Sequence, residues 1–259
     1  MLFCIKSTGN KDYSSESIKT PGQNSIYNFK GNKKQNMDTK IVKIGQPCES
    51  AGAPFMDAED CAKEAGKLLW QGKIVAFPTD TVYGLGAVYK NSAAVRKIFE
   101  AKGRPENKPI SILVSDIEQV KELSPEITED AVKLMKQFWP GALTIILKKS
   151  GTVPDEVSAG GDTIGIRMPD NEFTRMVIRN AGAPLAAPSA NLSGKRSGAT
   201  GEQVIEDLKG LVDMIIDAGA CSIGISSTVL DLTGPEVKIL REGTVSKEDI
   251  EKCINKKIN

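Results

Sequence analysis

From Met37 onward the chain alternates between two hydrophobic rhythms. Asp38-Thr39-Lys40-Ile41-Val42-Lys43-Ile44 alternates polar and apolar residues as a strand does. Asp57 then opens a stretch in which Cys61, Ala65, Leu68 and Leu69 share one helical face, and Gly72 stops it. Ile74-Val75-Ala76-Phe77 is a short continuous apolar run, expected of a buried strand, and ends at Pro78. The same exchange recurs, predicting helices over 93–101 and 128–138 and strands over 110–114 and 143–147. It continues with strand 163–168, helix 172–181 and strand 185–187. A helix from Gly201 is capped by Thr200, with Gln203 completing a capping box. Strands over 213–217, 228–231 and 237–240 precede a last helix opened by Ser246, with Asp249 three residues on. Interleaved strands and helices predict an α/β fold. No internal repeat or low-complexity linker follows Met37, so residues 37–259 are expected to form one domain.

Residues 1–36 lack either rhythm. Rich in Ser, Asn, Lys and Gly, they are predicted to be a disordered tail, with Met37 a candidate start in its own right. Residues 1–40 hold seven lysines against Asp12, Glu16 and Asp38, although the whole chain of 259 residues has a net charge of only +1. No overall field therefore drives it to nucleic acid or membrane. Cys4, Cys48, Cys61, Cys221 and Cys253 are widely spaced, without C-x-x-C, and are expected to be free thiols in a reducing compartment. No apolar run has the length of a membrane span, which points to a soluble, cytoplasmic protein.

The composition excludes more than it suggests. The chain has no histidine, so Ser-His-Asp and Cys-His catalysis, histidine general bases and histidine metal ligands are all ruled out. Chemistry must come from Lys, Arg, hydroxyls, carboxylates and backbone.

Three segments combine a strand end with such groups. In Phe77-Pro78-Thr79-Asp80-Thr81-Val82-Tyr83-Gly84-Leu85-Gly86 a buried strand enters a hydroxyl-rich turn, equally readable as an ordinary strand-to-loop turn. Its glycines are no dinucleotide fingerprint, because Tyr89 holds the third position. Lys102-Gly103-Arg104-Pro105-Glu106-Asn107-Lys108-Pro109 is a basic turn after a helix. Its cations either serve the helix dipole or, on a backbone stiffened by Gly103, Pro105 and Pro109, converge on phosphate. Ala186-Ala187-Pro188-Ser189-Ala190-Asn191-Leu192-Ser193-Gly194 and Lys195-Arg196-Ser197-Gly198 form either a plain loop or a close approach of backbone N–H to a polar ligand. No P-loop occurs, and Ser189 lacks both G-x-S-x-G and a histidine base.

Taken with Trp139-Pro140-Gly141, Gly165-Ile166-Arg167-Met168-Pro169 and Leu240-Arg241-Glu242-Gly243, these segments resemble the YrdC family of threonylcarbamoyl-AMP synthases in order and spacing from about Glu59 to Ile254. The resemblance implies a twisted sheet flanked by helices and a large basic cleft. It also implies a nucleotidyltransferase reaction for tRNA modification, in which the L-threonine amine takes up bicarbonate and the carbamate attacks the α-phosphate of ATP, releasing pyrophosphate. By position, Thr81, Arg167 and Ser227 resemble the threonine contacts, and Arg104, Lys108, Thr163, Ser189, Asn191, Ser197 and Arg241 the ATP contacts. Lys102 and Arg104 are expected to neutralise phosphate charge as the catalytic pair, and Arg167 to fork onto the threonine carboxylate. Mg2+ is expected to arrive with the ATP phosphates. A transferase complex that threonylcarbamoylates tRNA is the implied recipient, with room for weak RNA binding. Leu113 stands where many relatives place a histidine, and Asp80 where glutamate is frequent. The chain ends soon after Arg241, so the C-terminal extension of the longer family form is not expected.

Two rival readings remain. Carbamoyl adenylation, as in the hydrogenase-maturation relatives, would bring zinc-type cysteine pairs, and none is present. A double-stranded RNA-binding or ribosome-associated module of the same fold is opposed by the near-neutral charge and the lack of an aromatic stacking pattern.

Overall fold

Local signals set most helix starts. The computed structural model describes residues 37–45 and 54–258, so the expectation for residues 1–36 lies outside the described residues. Asp57, Asn91, Thr128, Asn171, Thr200 and Ser246 each accept a backbone N–H of the first turn, capping α1 (Ala58–Trp70), α2 (Ser92–Lys102), α4 (Glu129–Phe138), α6 (Glu172–Ala181), α7 (Gly201–Leu208) and α8 (Lys247–Ile254). At Thr200 the expected box is displaced by one residue: Gln203 Oε1 accepts from Ala199 N at 2.8 Å rather than from Thr200 itself. Two short helices, α3 (Val120–Leu123, entered by a 3-10 turn over Ile117–Gln119) and α5 (Asp155–Ser158), were not predicted. They are too short to display a period of 3.6.

The strands are β1 (Lys40–Lys43), β2 (Val75–Phe77), β3 (Gly84–Val88), β4 (Ile112–Leu113), β5 (Leu143–Lys148), β6 (Thr163–Arg167), β7 (Leu185–Ala186), β8 (Met214–Asp217), β9 (Thr228–Asp231) and β10 (Lys238–Arg241). They join in one mixed sheet of order β1-β8-β2-β3-β7-β4-β6-β5-β9-β10. Strand β3 corrects the sequence reading, which left this segment as a loop. Gly86 pairs with Val75, and a Cβ added there would lie 2.5 Å from the Phe77 ring. The glycine lets an aromatic side chain lie flat on the neighbouring strand.

Alternation along the central strands divides the apolar side chains between two cores. Val75, Phe77, Met214, Ile216 and Leu185 point to the face covered by α1 and α6. Ala76, Ile215, Ile112 and Ala186 point to the opposite, larger core. Both faces are covered, which is why these strands read as continuous apolar runs. No described helix is long and apolar enough to cross a membrane.

Candidate functional site: an arginine- and hydroxyl-lined cleft

Strand ends and the turns that leave them enclose an open cleft with about 800 Å³ of empty space. Thr81, Arg104, Arg167, Ser189, Ser227 and Arg241, all expected from the sequence, line it together with Leu113. The lining contains three arginines and no carboxylate. Burial pulls the Arg104 and Arg241 guanidinium groups below their usual value.

Arg167 ends β6 and is buried against the β2–β3 turn. Its Nε donates to Gly141 O at 2.8 Å, Nη1 to Thr81 Oγ1 at 2.6 Å and Nη2 to Asp80 Oδ1. Three of its five N–H groups are thus engaged, leaving one on each terminal nitrogen, the number a bidentate carboxylate needs. Burial draws its pKa down, and the charge of Asp80 opposes this. Asp80 is buried as well, and its Oδ2 has no hydrogen-bond partner among the described residues.

Beside this pair, Thr144 Oγ1 and Ser227 Oγ lie 2.8 Å apart. Arg241 donates from Nε to Ser227 O at 3.0 Å and from Nη2 to Ser227 Oγ at 3.2 Å. Strand β10 thereby delivers an arginine to the same wall as β9.

The basic turn behaves differently from its sequence neighbour. Gly103 ends α2 in the left-handed region at φ 57°, which turns Arg104 back along its own loop. Arg104 Nη2 donates to Pro109 O at 2.9 Å, holding the guanidinium at the cleft. Lys102 is only 2% exposed and does not line the cleft. Its ammonium donates to Ser189 O and Asn191 O, with Asn191 Oδ1 at 3.4 Å. Burial, aided by the charge of Arg104, lowers its pKa from 10.5 to about 8. The ammonium sits inside the turn of the 189–191 loop and draws its oxygens inward. Ser189 Oγ donates to Asn191 Oδ1 at 2.6 Å, so its lone pairs are the part left for a ligand.

Four expected contacts stand outside the lining. Asn191 is buried under Ser189, Lys108 is exposed, and Ser197 is half-buried beyond the 189–191 loop. Thr163 begins β6 and pairs with Lys148. Four residues of strand put it ~13 Å from Arg167. Sequence reasoning assigned no contact to Thr79, Ser111, Thr144 or Ser226, which line the cleft, and noted Asp80 only as a departure from the glutamate frequent in relatives. For Thr144 a signal existed, a lone hydroxyl in the otherwise apolar run Leu143-Thr144-Ile145-Ile146-Leu147.

An α/β cleft floored by arginines and hydroxyls, with no carboxylate in its lining, has the chemistry that suits an anionic ligand. The family model described as Telomere recombination, covering Sua5, YciO and YrdC, matches residues 67–243, and the chain belongs to this family. It is 48% identical over 192 residues to the threonylcarbamoyl-AMP synthase of Bacillus subtilis, covering 74% of this chain and 56% of that protein. To the putative threonylcarbamoyl-AMP synthase of Methanocaldococcus jannaschii it is 37% identical over 217 residues, 84% of this chain and 99% of that protein. The solved structure of P. abyssi Sua5 complexed with L-threonine matches with a TM-score of 0.79 and 43% identity, over 85% of this chain and 63% of that one. The chain thus spans little more than half the length of the Bacillus subtilis relative.

Proposed function

We propose that this chain makes L-threonylcarbamoyladenylate from L-threonine, bicarbonate and ATP, releasing pyrophosphate. One observation supports this reading above others: Arg167 offers one uncommitted N–H on each terminal nitrogen beside the hydroxyl of Thr81, in a cleft whose remaining charges are Arg104 and Arg241. An amino-acid carboxylate fits the first group and phosphates fit the others. The relatives named threonylcarbamoyl-AMP synthase and the threonine-bound Sua5 structure support the same assignment.

The residues divide the work. Arg167 takes the carboxylate, while Thr81 and Ser227 meet the polar groups on the α- and β-carbons. Arg104 and Arg241 carry the charge that builds up as the carbamate oxygen attacks the α-phosphate and pyrophosphate leaves. Lys102 acts through the loop it gathers, presenting Ser189. Leu113 provides an apolar wall for the threonine methyl.

Among the described residues no group of three or more His, Cys, Asp or Glu could hold a metal ion. The cleft lining carries no carboxylate, and magnesium would enter as part of the nucleotide substrate. The labile product would pass, in the cytoplasm, to a transferase that modifies tRNA to N6-threonylcarbamoyladenosine.

Pyrophosphate release tests the reading. It should require threonine and bicarbonate together, and release that proceeds without either one would overturn it.

A further inference from the structure

Thr79 carries a role that neither its sequence setting nor the reaction reading assigns. It is 4% exposed. Its hydroxyl donates to Val82 O at 2.7 Å and accepts from the Thr81 backbone N–H at 3.1 Å. Thr81 Oγ1 lies 3.1 Å from Thr79 Oγ1. A hydroxyl has one proton, and that of Thr79 is engaged, so Thr81 must be the donor between them. Thr81 Oγ1 itself accepts from Arg167 Nη1. The protons therefore run one way, from Arg167 to Thr81, to Thr79, to Val82 O. Within this relay the Thr81 proton is spent on Thr79, so what Thr81 has left for the cleft is a lone pair and no proton.

We propose that Thr79 is a positioning residue that holds Thr81 as a hydrogen-bond acceptor toward the substrate amine; this rests on the functional reading above. A carboxylate on Arg167 places the α-nitrogen one carbon away, beside the hydroxyl bonded to the same guanidinium. The substrate ammonium first gives one proton to solvent, and in the first chemical step the lone pair of the neutral amine forms a bond to the bicarbonate carbon. Hydroxide leaves that carbon and takes the proton lost by nitrogen, giving carbamate and water. A hydroxyl that donated to the nitrogen would occupy the electron pair that must form the bond. An acceptor holds an N–H instead and leaves the pair free. Without Thr79 Oγ1 the Thr81 proton loses the acceptor that holds it and is free to turn to the cleft.

The test is steady-state pyrophosphate release by the full chain and by Thr79→Val and Thr79→Ser, with thermal unfolding to confirm folding at the assay temperature. Thr79→Val should lose roughly tenfold in kcat, equal to about 1.4 kcal/mol, with KM for threonine within about threefold and KM for ATP unchanged. Thr79→Ser, which keeps the oxygen, should restore kcat. A merely structural role would lower the melting temperature without this split between kcat and KM. If the valine variant does not fold, Thr79→Cys must show the same fall in kcat, since a thiol is a weak acceptor. A valine or cysteine variant with unchanged kcat, or a serine variant as impaired as valine, overturns the inference alone. A wild-type protein that releases no pyrophosphate with threonine and bicarbonate overturns the functional reading itself.

Discussion

Replacing Asp80 by asparagine probes the charge balance beneath the amino-acid end of the cleft. The Arg167 and Asp80 side chains are 7% and 4% exposed, so neither charge is solvated by bulk water. Asparagine keeps the shape and can still accept from Arg167 Nη2, but it leaves the guanidinium as an unbalanced buried cation. Its amide also falls where Asp80 Oδ2 has no partner. Removing one member of a buried ion pair costs about 3–5 kcal/mol. For a domain of this size each kcal/mol moves the melting temperature by roughly 2–4 °C, so a fall of about 6–20 °C is expected. Urea and thermal unfolding of the wild type, Asp80→Asn, Arg167→Met and the double variant would measure it. The double variant should be more stable than the sum of the single costs implies, by at least ~1.5 kcal/mol, because no stranded charge remains. Saturating L-threonine should also raise the melting temperature of Asp80→Asn more than that of the wild type, its carboxylate replacing the missing counter-charge. An Asp80→Asn variant within about 1 kcal/mol of the wild type, or a coupling below ~0.5 kcal/mol, would refute the reasoning.

Other expectations follow from the same geometry. Arg104→Ala should lower kcat for pyrophosphate release by about 10²- to 10³-fold with little loss of stability, because the side chain is braced only by its own loop. Lys102→Ala should cut turnover on the same scale and lower the melting temperature as well, since three oxygens of the 189–191 loop lose their cation. The unfolded chain keeps Lys102 protonated to about 10.5 and the folded chain releases that proton near 8. Unfolding therefore takes up a proton between these values, and the stability of the wild type relative to Lys102→Met should rise across that window by up to about 3 kcal/mol. Urea titrations at pH 7 and pH 10 would show a gap that grows with pH; a constant gap would contradict it. Gly243→Ala would set a Cβ 2.4 Å from Thr228 N and 2.5 Å from Ser226 O. It should cost about 1–3 kcal/mol in chemical denaturation and weaken threonine binding by calorimetry through the displaced Ser227.

Short-range chemistry alone marked the six longer helices. Caps and apolar spacing lie within four residues of each other, so α1, α2, α4, α6, α7 and α8 are written in the chain without reference to the rest of the fold. The same holds for the character of the site. A chain without histidine, bearing a K-x-R segment after a helix and an S-x-N segment after a strand, points to a cleft of arginines and hydroxyls, and six of the expected residues line it. Strand β3 needed the tertiary structure, because its two glycines look like a loop until Phe77 is laid across them. The partner of Arg167 needed it as well. Asp80 stands 87 positions away, and only the ordering of strands between β2 and β6 brings the turn of one to the end of the other. Lys102 and Arg104 show the same division at closest range. Two cations two residues apart look interchangeable in the chain. Gly103, at a positive φ, sends one into the fold to gather a loop and the other to the cleft. Residue type and local period settle what a segment can become, whereas the direction of a side chain depends on backbone turns and on contacts whose sequence separation no local pattern encodes.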